Sequence, residues 1–162
     1  MVEEEPYIMK KLLIMPPSFK RKLKPKLLPA IERYDGVLYR ILRRNMPSKG
    51  LDILILTDNM KLVWSSEMLP YKEPKGKRWS GFGPKRISEE TVKRNLTFLK
   101  NILEQENYSE IFIALGKRLR GAVKGIETIS RTKISYIQGG LGFQSHMLKT
   151  WLNKIAKEIE KC

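Results

Sequence analysis

The sequence predicts an α/β fold: one three-layer domain, with a mostly parallel sheet of about four or five strands and helices on both faces. Three observations predict it. Strand-like and helix-like segments alternate along the chain. The strand-like runs are short and apolar throughout, as strands covered on both faces are. The segments between them carry apolar stripes at helical spacing. A chain of 162 residues suits a single domain spanning 1–162.

Lys11 to Met15 reads as the first strand, stopped by Pro16-Pro17. Val37 to Asn45 reads as a helix with Asp35 as its N-cap. Leu38, Ile41 and Leu42 face inward there, and Arg40, Arg43 and Arg44 outward. Leu51 to Thr57 is a second strand, and Lys61 to Trp64 a short return strand after an Asp58-Asn59 turn. Ser88 to Glu106 has the fullest helix signature: Ser88 as cap, Glu89 and Glu90 in the first turn, and a stripe of Val92, Leu96, Leu99 and Leu103. Glu110 to Leu115 is a third buried strand. Beyond Gly116 a short helix puts Leu119, Val123 and Ile126 on one face. Lys133 to Gln138 is a fourth strand. The last helix opens at Gly139-Gly140-Leu141-Gly142, with Met147, Trp151, Ile155 and Ile159 inside and Lys149, Asn153, Lys154 and Lys157 outside. Two connections, at about 16–34 and 65–87, are unusually long and basic for a compact domain, which marks them as functional or disordered.

Composition excludes several classes. The longest dense apolar run, Leu51 to Leu56, falls far short of a membrane span. The acidic start at Glu3, Glu4 and Glu5 does not read as a secretory signal. Cys162 is the sole cysteine, so no internal disulfide forms and a reducing, cytoplasmic setting is expected. With His146 the sole histidine, no metal site is expected, and no cofactor fingerprint is present.

Charge is the informative quantity. The chain carries 32 Lys/Arg against 17 Asp/Glu, a formal net charge of +15. Residues 10–49 hold twelve basic side chains against Glu32 and Asp35, and 72–94 and 117–133 are each net +5. Segments 50–71 and 95–116 are each net −2. A proteome rich in both Lys and Glu would raise the charge content without the imbalance. Clustered cationic excess suits a polyanion, because each neutralised phosphate releases counterions. A nucleic acid, RNA or DNA, is the expected partner.

Right-handed crossovers bring the strand carboxyl ends to one edge, where such sheets bind ligands. Four constellations fall at or near it. The loop from Pro16 to Lys26 offers Ser18, Lys20, Arg21 and Lys22 as a phosphate grip, or is simply a solvated basic loop. The Gly139, Gly140 and Gly142 turn can aim backbone N–H groups at an anion, or is simply a tight turn. It lacks both the G-x-G-x-x-G spacing and the Lys-Ser/Thr of a P-loop. Lys117 and Arg118 follow the third strand at a helix N-terminus, where cations oppose the dipole. The second long loop interleaves Tyr71, Trp79 and Phe82 with Lys72, Lys75, Lys77, Arg78, Lys85 and Arg86, the pairing of rings and cations that single strands need. Its rings would equally pin the loop to the core. Tyr34, Tyr71 and Trp79 are the candidates to contact bases. Asp58, at a strand end, and His146 are the candidate acid–base groups, although each residue type is more often structural in such places.

The order of a Pro-Ser-Lys-rich loop, Tyr34-Asp35-Gly36-Val37-Leu38-Tyr39, Leu54-Ile55-Leu56-Thr57, Leu69-Pro70-Tyr71, Ala114-Leu115-Gly116-Lys117 and Gly139-Gly140-Leu141-Gly142 resembles an uncharacterised prokaryotic family related to the YaaA peroxide-stress proteins. The first loop also resembles a domain of archaeal tRNA archaeosine-synthesis proteins. The resemblance covers most of the chain. It implies a Rossmann-like or uracil-DNA-glycosylase-like fold and a link to nucleic acid, without a settled reaction. The family's Cys-Ser is Pro17-Ser18 here, and its Lys-Tyr-Gly after the second strand is Asn59-Met60-Lys61. Three functions follow as expectations: a nucleic-acid-binding domain, an enzyme acting on a nucleobase or nucleotide, or a basic module that docks an acidic protein or ribosomal surface.

Overall fold

The computed structural model describes residues 9–74 and 86–161. In chain order its elements are β1 (Lys10–Met15), β2 (Leu27–Pro29), α1 (Ala30–Arg33), α2 (Val37–Arg44), β3 (Leu51–Leu56), β4 (Leu62–Trp64), β5 (Met68–Pro70), α3 (Glu89–Gln105), β6 (Tyr108–Ile113), a 3-10 turn (Leu119–Val123), α4 (Ile126–Ile129), β7 (Lys133–Tyr136) and α5 (Leu141–Glu160). Five strands form one sheet in the order β4-β3-β1-β6-β7, parallel except for β4. This is the predicted α/β architecture.

The strands read as unbroken apolar runs because both faces are covered. Leu13, Met15, Ile53, Ile55 and Phe112 pack against α2 and α5, with Tyr39, Leu42, Trp151 and Leu152. Leu12, Ile14, Leu54, Leu56 and Ile113 pack against α3, the 3-10 turn and α4, with Leu99, Ile102, Ala122 and Ile126. Each fully buried side chain of this size contributes about 1.5–3 kcal/mol. β1 has four in succession, Leu12 to Met15, all at 0% exposure. It is the axis of the molecule.

The start of α3 follows the predicted signal. The Ser88 hydroxyl caps α3, accepting from the Thr91 N–H at 3.1 Å. The buried faces are rotated by about one position. α3 buries Asn95, Leu99 and Ile102, with Val92, Leu96 and Leu103 beside them. α5 buries Leu148, Trp151, Leu152 and Ile155, with Met147 and Ile159 at the border. The Asn95 side chain replaces an apolar contact with three hydrogen bonds, from the Leu62 N–H and to the Met60 and Ala122 carbonyls.

Three local expectations are corrected. Gly36, not Asp35, occupies the N-cap of α2, and the Asp35 carboxylate pairs with Arg43 and Arg40 instead. Arg43 does not face outward: it turns back to donate to the Ile31 and Tyr34 carbonyls at 2.9 and 3.0 Å. The helix expected after Gly116 is two short pieces, the 3-10 turn and α4, broken at Lys124-Gly125.

The described parts of the two long connections are organised by each other. β2 and β5 pair antiparallel, with Leu28 opposite Leu69 facing inward. Leu27, Pro29, Met68 and Pro70 lie on the other face of this ribbon, and Leu27 and Met68 are exposed. Among the described residues no helix is long and apolar enough to cross a membrane.

Candidate functional site

The four parallel strands bring their carboxyl ends to one edge. Along the sheet they stand in the order second, first, third, fourth. The chain leaves β1 towards the α2/α5 layer and leaves β6 towards the opposite one. The crevice between those two strand ends is therefore the switch point of a doubly wound sheet. The Pro16–Ser18 and Leu115–Lys117 stretches border it. The lysine loop lies to the β3 side and the glycine turn to the β7 side.

The lysine loop is built around Arg33. This side chain is 2% exposed, yet no carboxylate pairs with it among the described residues. Its guanidinium donates instead to the carbonyls of Lys22 and Pro25 at 2.7 Å, Lys26 at 3.0 Å and Leu69 at 3.1 Å. The Lys22 N–H donates in turn to the Arg33 carbonyl at 2.9 Å. Backbone oxygens are thus drawn inward, and Lys20, Lys22, Lys24 and Lys26 are all exposed. None of the four has a carboxylate within ion-pair distance among the described residues. Arg33 carried no special signal in the sequence. Its one clue was its place just after the apolar stretch Leu27-Leu28-Pro29-Ala30-Ile31.

Several predicted ligand groups make contacts within the fold. Arg21 is buried to 3% side-chain exposure and grips Asp58 with two nitrogens, at 2.6 and 3.0 Å. It also donates to the Ser18 and Lys72 carbonyls and stacks 5.2 Å from the Tyr34 ring centre. The Ser18 hydroxyl donates to the Lys20 carbonyl at 2.8 Å. It sits so close to Gly36 that a Cβ there would collide with it, so the glycine sets this approach. Tyr34 is 2% exposed and cannot stack on a base. Its burial, then the nearby Asp58 charge, push the phenol well above its usual range.

A cavity of about 220 Å³ lies beside the Arg21–Asp58 pair, lined by Tyr34, Asn59, Lys61, Leu69 and Lys72 among others. It sits at the end of β3, beside the switch point rather than in it. Both Asp58 oxygens accept from Arg21, which ties this carboxylate into an ion pair. His146 is exposed on α5, and no hydrogen bond orients it among the described residues. The strand ends preceding Asp58 and His146 are three strand spacings apart, roughly 14 Å, so the two form no acid–base pair.

The remaining predicted groups are accessible. Lys117 and Arg118 are exposed after β6. Arg120 of the same run is not a ligand: it clamps the ends of β6 and β7 by donating to the Leu115 and Ile137 carbonyls. Gly139, Gly140 and Gly142 are exposed, and no side chain caps α5. Gly139 has φ +82°, and a Cβ there would meet the Phe143 ring at 2.7 Å, so only glycine fits this turn. Tyr71 is half-buried. Trp79 and Phe82, with Lys75, Lys77, Arg78 and Lys85, lie outside the described residues. Among the described residues no group of three or more His, Cys, Asp or Glu side chains is placed to hold a metal.

No protein-family model matches the chain, and no curated protein does. Among solved structures, the chain is similar to the crystal structure of AF0587, a protein of unknown function. The TM-score is 0.51 at 16% sequence identity, over 89% of this chain. The chain spans 44% of that protein's chain. The likeness supports the α/β fold and extends no further.

Proposed function

We propose that this chain is a nucleic-acid-binding α/β domain, with the strand carboxyl edge as its contact surface. The observation that carries this reading is the lysine loop. Four exposed lysines within seven residues lack acidic partners among the described residues, on a backbone tied down by Arg33. Holding cations in place before binding lowers the entropy lost when a charged ligand docks. Lys117 and the Gly139–Gly142 turn extend the same edge with a further cation and open backbone N–H groups. The resemblance to a domain of tRNA archaeosine-synthesis proteins points the same way.

The test separates a built site from net charge. Lys20, Lys22, Lys24 and Lys26 are changed together to Gln. In a control, the exposed Lys149, Lys154 and Lys157 of α5 are changed to Gln. Affinity for labelled single-stranded RNA and DNA is then measured at fixed salt. The loop variant is expected to weaken binding by tenfold or more, on the order of the loss from several phosphate contacts, and the control by far less. Equal losses would reduce the reading to non-specific attraction.

An enzymatic reading has one observation in its favour, the cavity beside Asp58. The double grip of Arg21 on that carboxylate weighs against it. Turnover of a nucleoside or nucleotide that Asp58→Asn abolishes would revive it.

A further inference from the structure

A second surface lies along α3, in the layer opposite α2 and α5. It is an open groove of about 730 Å³ between α3, the 3-10 turn and α4. Its floor is aliphatic: Ile87, Val92, Leu96 and Ile129, all part-buried. Its rim is cationic, with Lys93 and Lys100 on one wall and Lys124 on the other, and Arg86 and Arg118 also lining it. Glu89 is the single carboxylate among the described residues of the lining. Lys93, Lys100 and Lys124 are exposed and have no carboxylate within ion-pair distance among the described residues. The wall from Glu89 to Lys100 runs about three helical turns, roughly 16 Å at the rise of an α-helix.

We propose that this groove docks an acidic amphipathic helix of a partner protein. An aliphatic floor takes apolar side chains spaced along one helix face, the usual mode for a helix lying in a groove. A cationic rim with little internal compensation selects a partner whose flanks are acidic. A nucleic-acid strand matches it less well, because among the described residues the lining holds no aromatic ring on which bases could stack. The surface is separate from the lysine loop, so the proposal does not depend on the nucleic-acid reading.

The probe is a designed labelled helical peptide, about four turns long by the helix repeat, with Leu on one face and Glu elsewhere. A peptide of the same composition in scrambled order controls for charge. Binding to the full chain is followed by fluorescence anisotropy. The patterned peptide is expected to bind about tenfold more tightly than the scrambled one, and Lys93→Glu with Lys100→Glu to remove that advantage. Val92→Gln, which leaves the charge untouched, is expected to weaken the patterned peptide and not the scrambled one. Circular dichroism shows whether each variant is folded. RNA affinity of the Lys93/Lys100 variant should stay close to that of the unmodified chain. Equal binding of the two peptides, an unchanged affinity after charge reversal, or a loss of RNA binding larger than the loss of peptide binding would overturn the proposal.

Discussion

Arg33 shows how little a residue's type reveals before its surroundings are known. In the sequence it is one cation among 32. In the fold it is buried and donates to four backbone carbonyls. Arg33→Ala should therefore destabilise the protein by about 3 kcal/mol, since four hydrogen bonds from one charged group are lost together. Arg33→Lys should recover only part of this, because one ammonium lacks the guanidinium fork. Urea unfolding measures both, and equal stability of Arg33→Ala and the unmodified protein would refute the role. Asp58 teaches the converse. Its place at a strand end was legible, but its occupation by Arg21, 37 residues away, was not. Tyr34 was hidden in the same way, buried by contacts distant in sequence, whereas the Ser18 hydroxyl turns to a near neighbour, the Lys20 carbonyl.

The elements that could be read were those whose burial is two-sided or whose caps are local. β1, β3 and β6 announced themselves as apolar runs, and α3 through Ser88. The β2/β5 ribbon was hidden because each strand has three residues, each ends in proline, and the pairing spans some forty residues of chain. The break between the 3-10 turn and α4 was hidden because Leu119, Val123 and Ile126 keep helical spacing across it. Elements are also tied together by charge. Glu110 of β6 accepts from Ser135 of β7 at 2.7 Å and from Trp151 of α5 at 3.0 Å, with Lys11 of β1 at 3.6 Å. Burial pushes this carboxyl up, but the two hydrogen bonds, with Lys133 and Lys11, outweigh it and hold it below its usual range. Asp35 is depressed likewise: burial raises it, and Arg43 and Arg40 outweigh that. The unfolded chain therefore takes up these protons first. Stability from these groups should be complete above about pH 5 and fall as pH drops below about 4. Urea unfolding across this range should show the fall, and Glu110→Gln should lessen it. A Glu110→Gln profile that superimposes on the original would contradict the assignment.

At the scale of the molecule, topology turns a charge pattern into a surface. The crossovers bring the chain after residues 15, 56, 113 and 136 to one edge, so cations far apart in sequence share it. That convergence was legible, because the alternation of elements implies parallel strands; the strand order was not. The cavity at the end of β3 and the groove along α3 were not, because both are made by side chains meeting across layers. If the lysine loop meets phosphates, binding must depend on salt. Affinity for single-stranded RNA is measured from low to moderate salt, with and without the four loop lysines. Four phosphate contacts predict a slope of log affinity against log salt near −3, and a much flatter slope once the lysines are replaced by Gln. A shallow slope in the unmodified protein, or the same slope in both, would contradict the account.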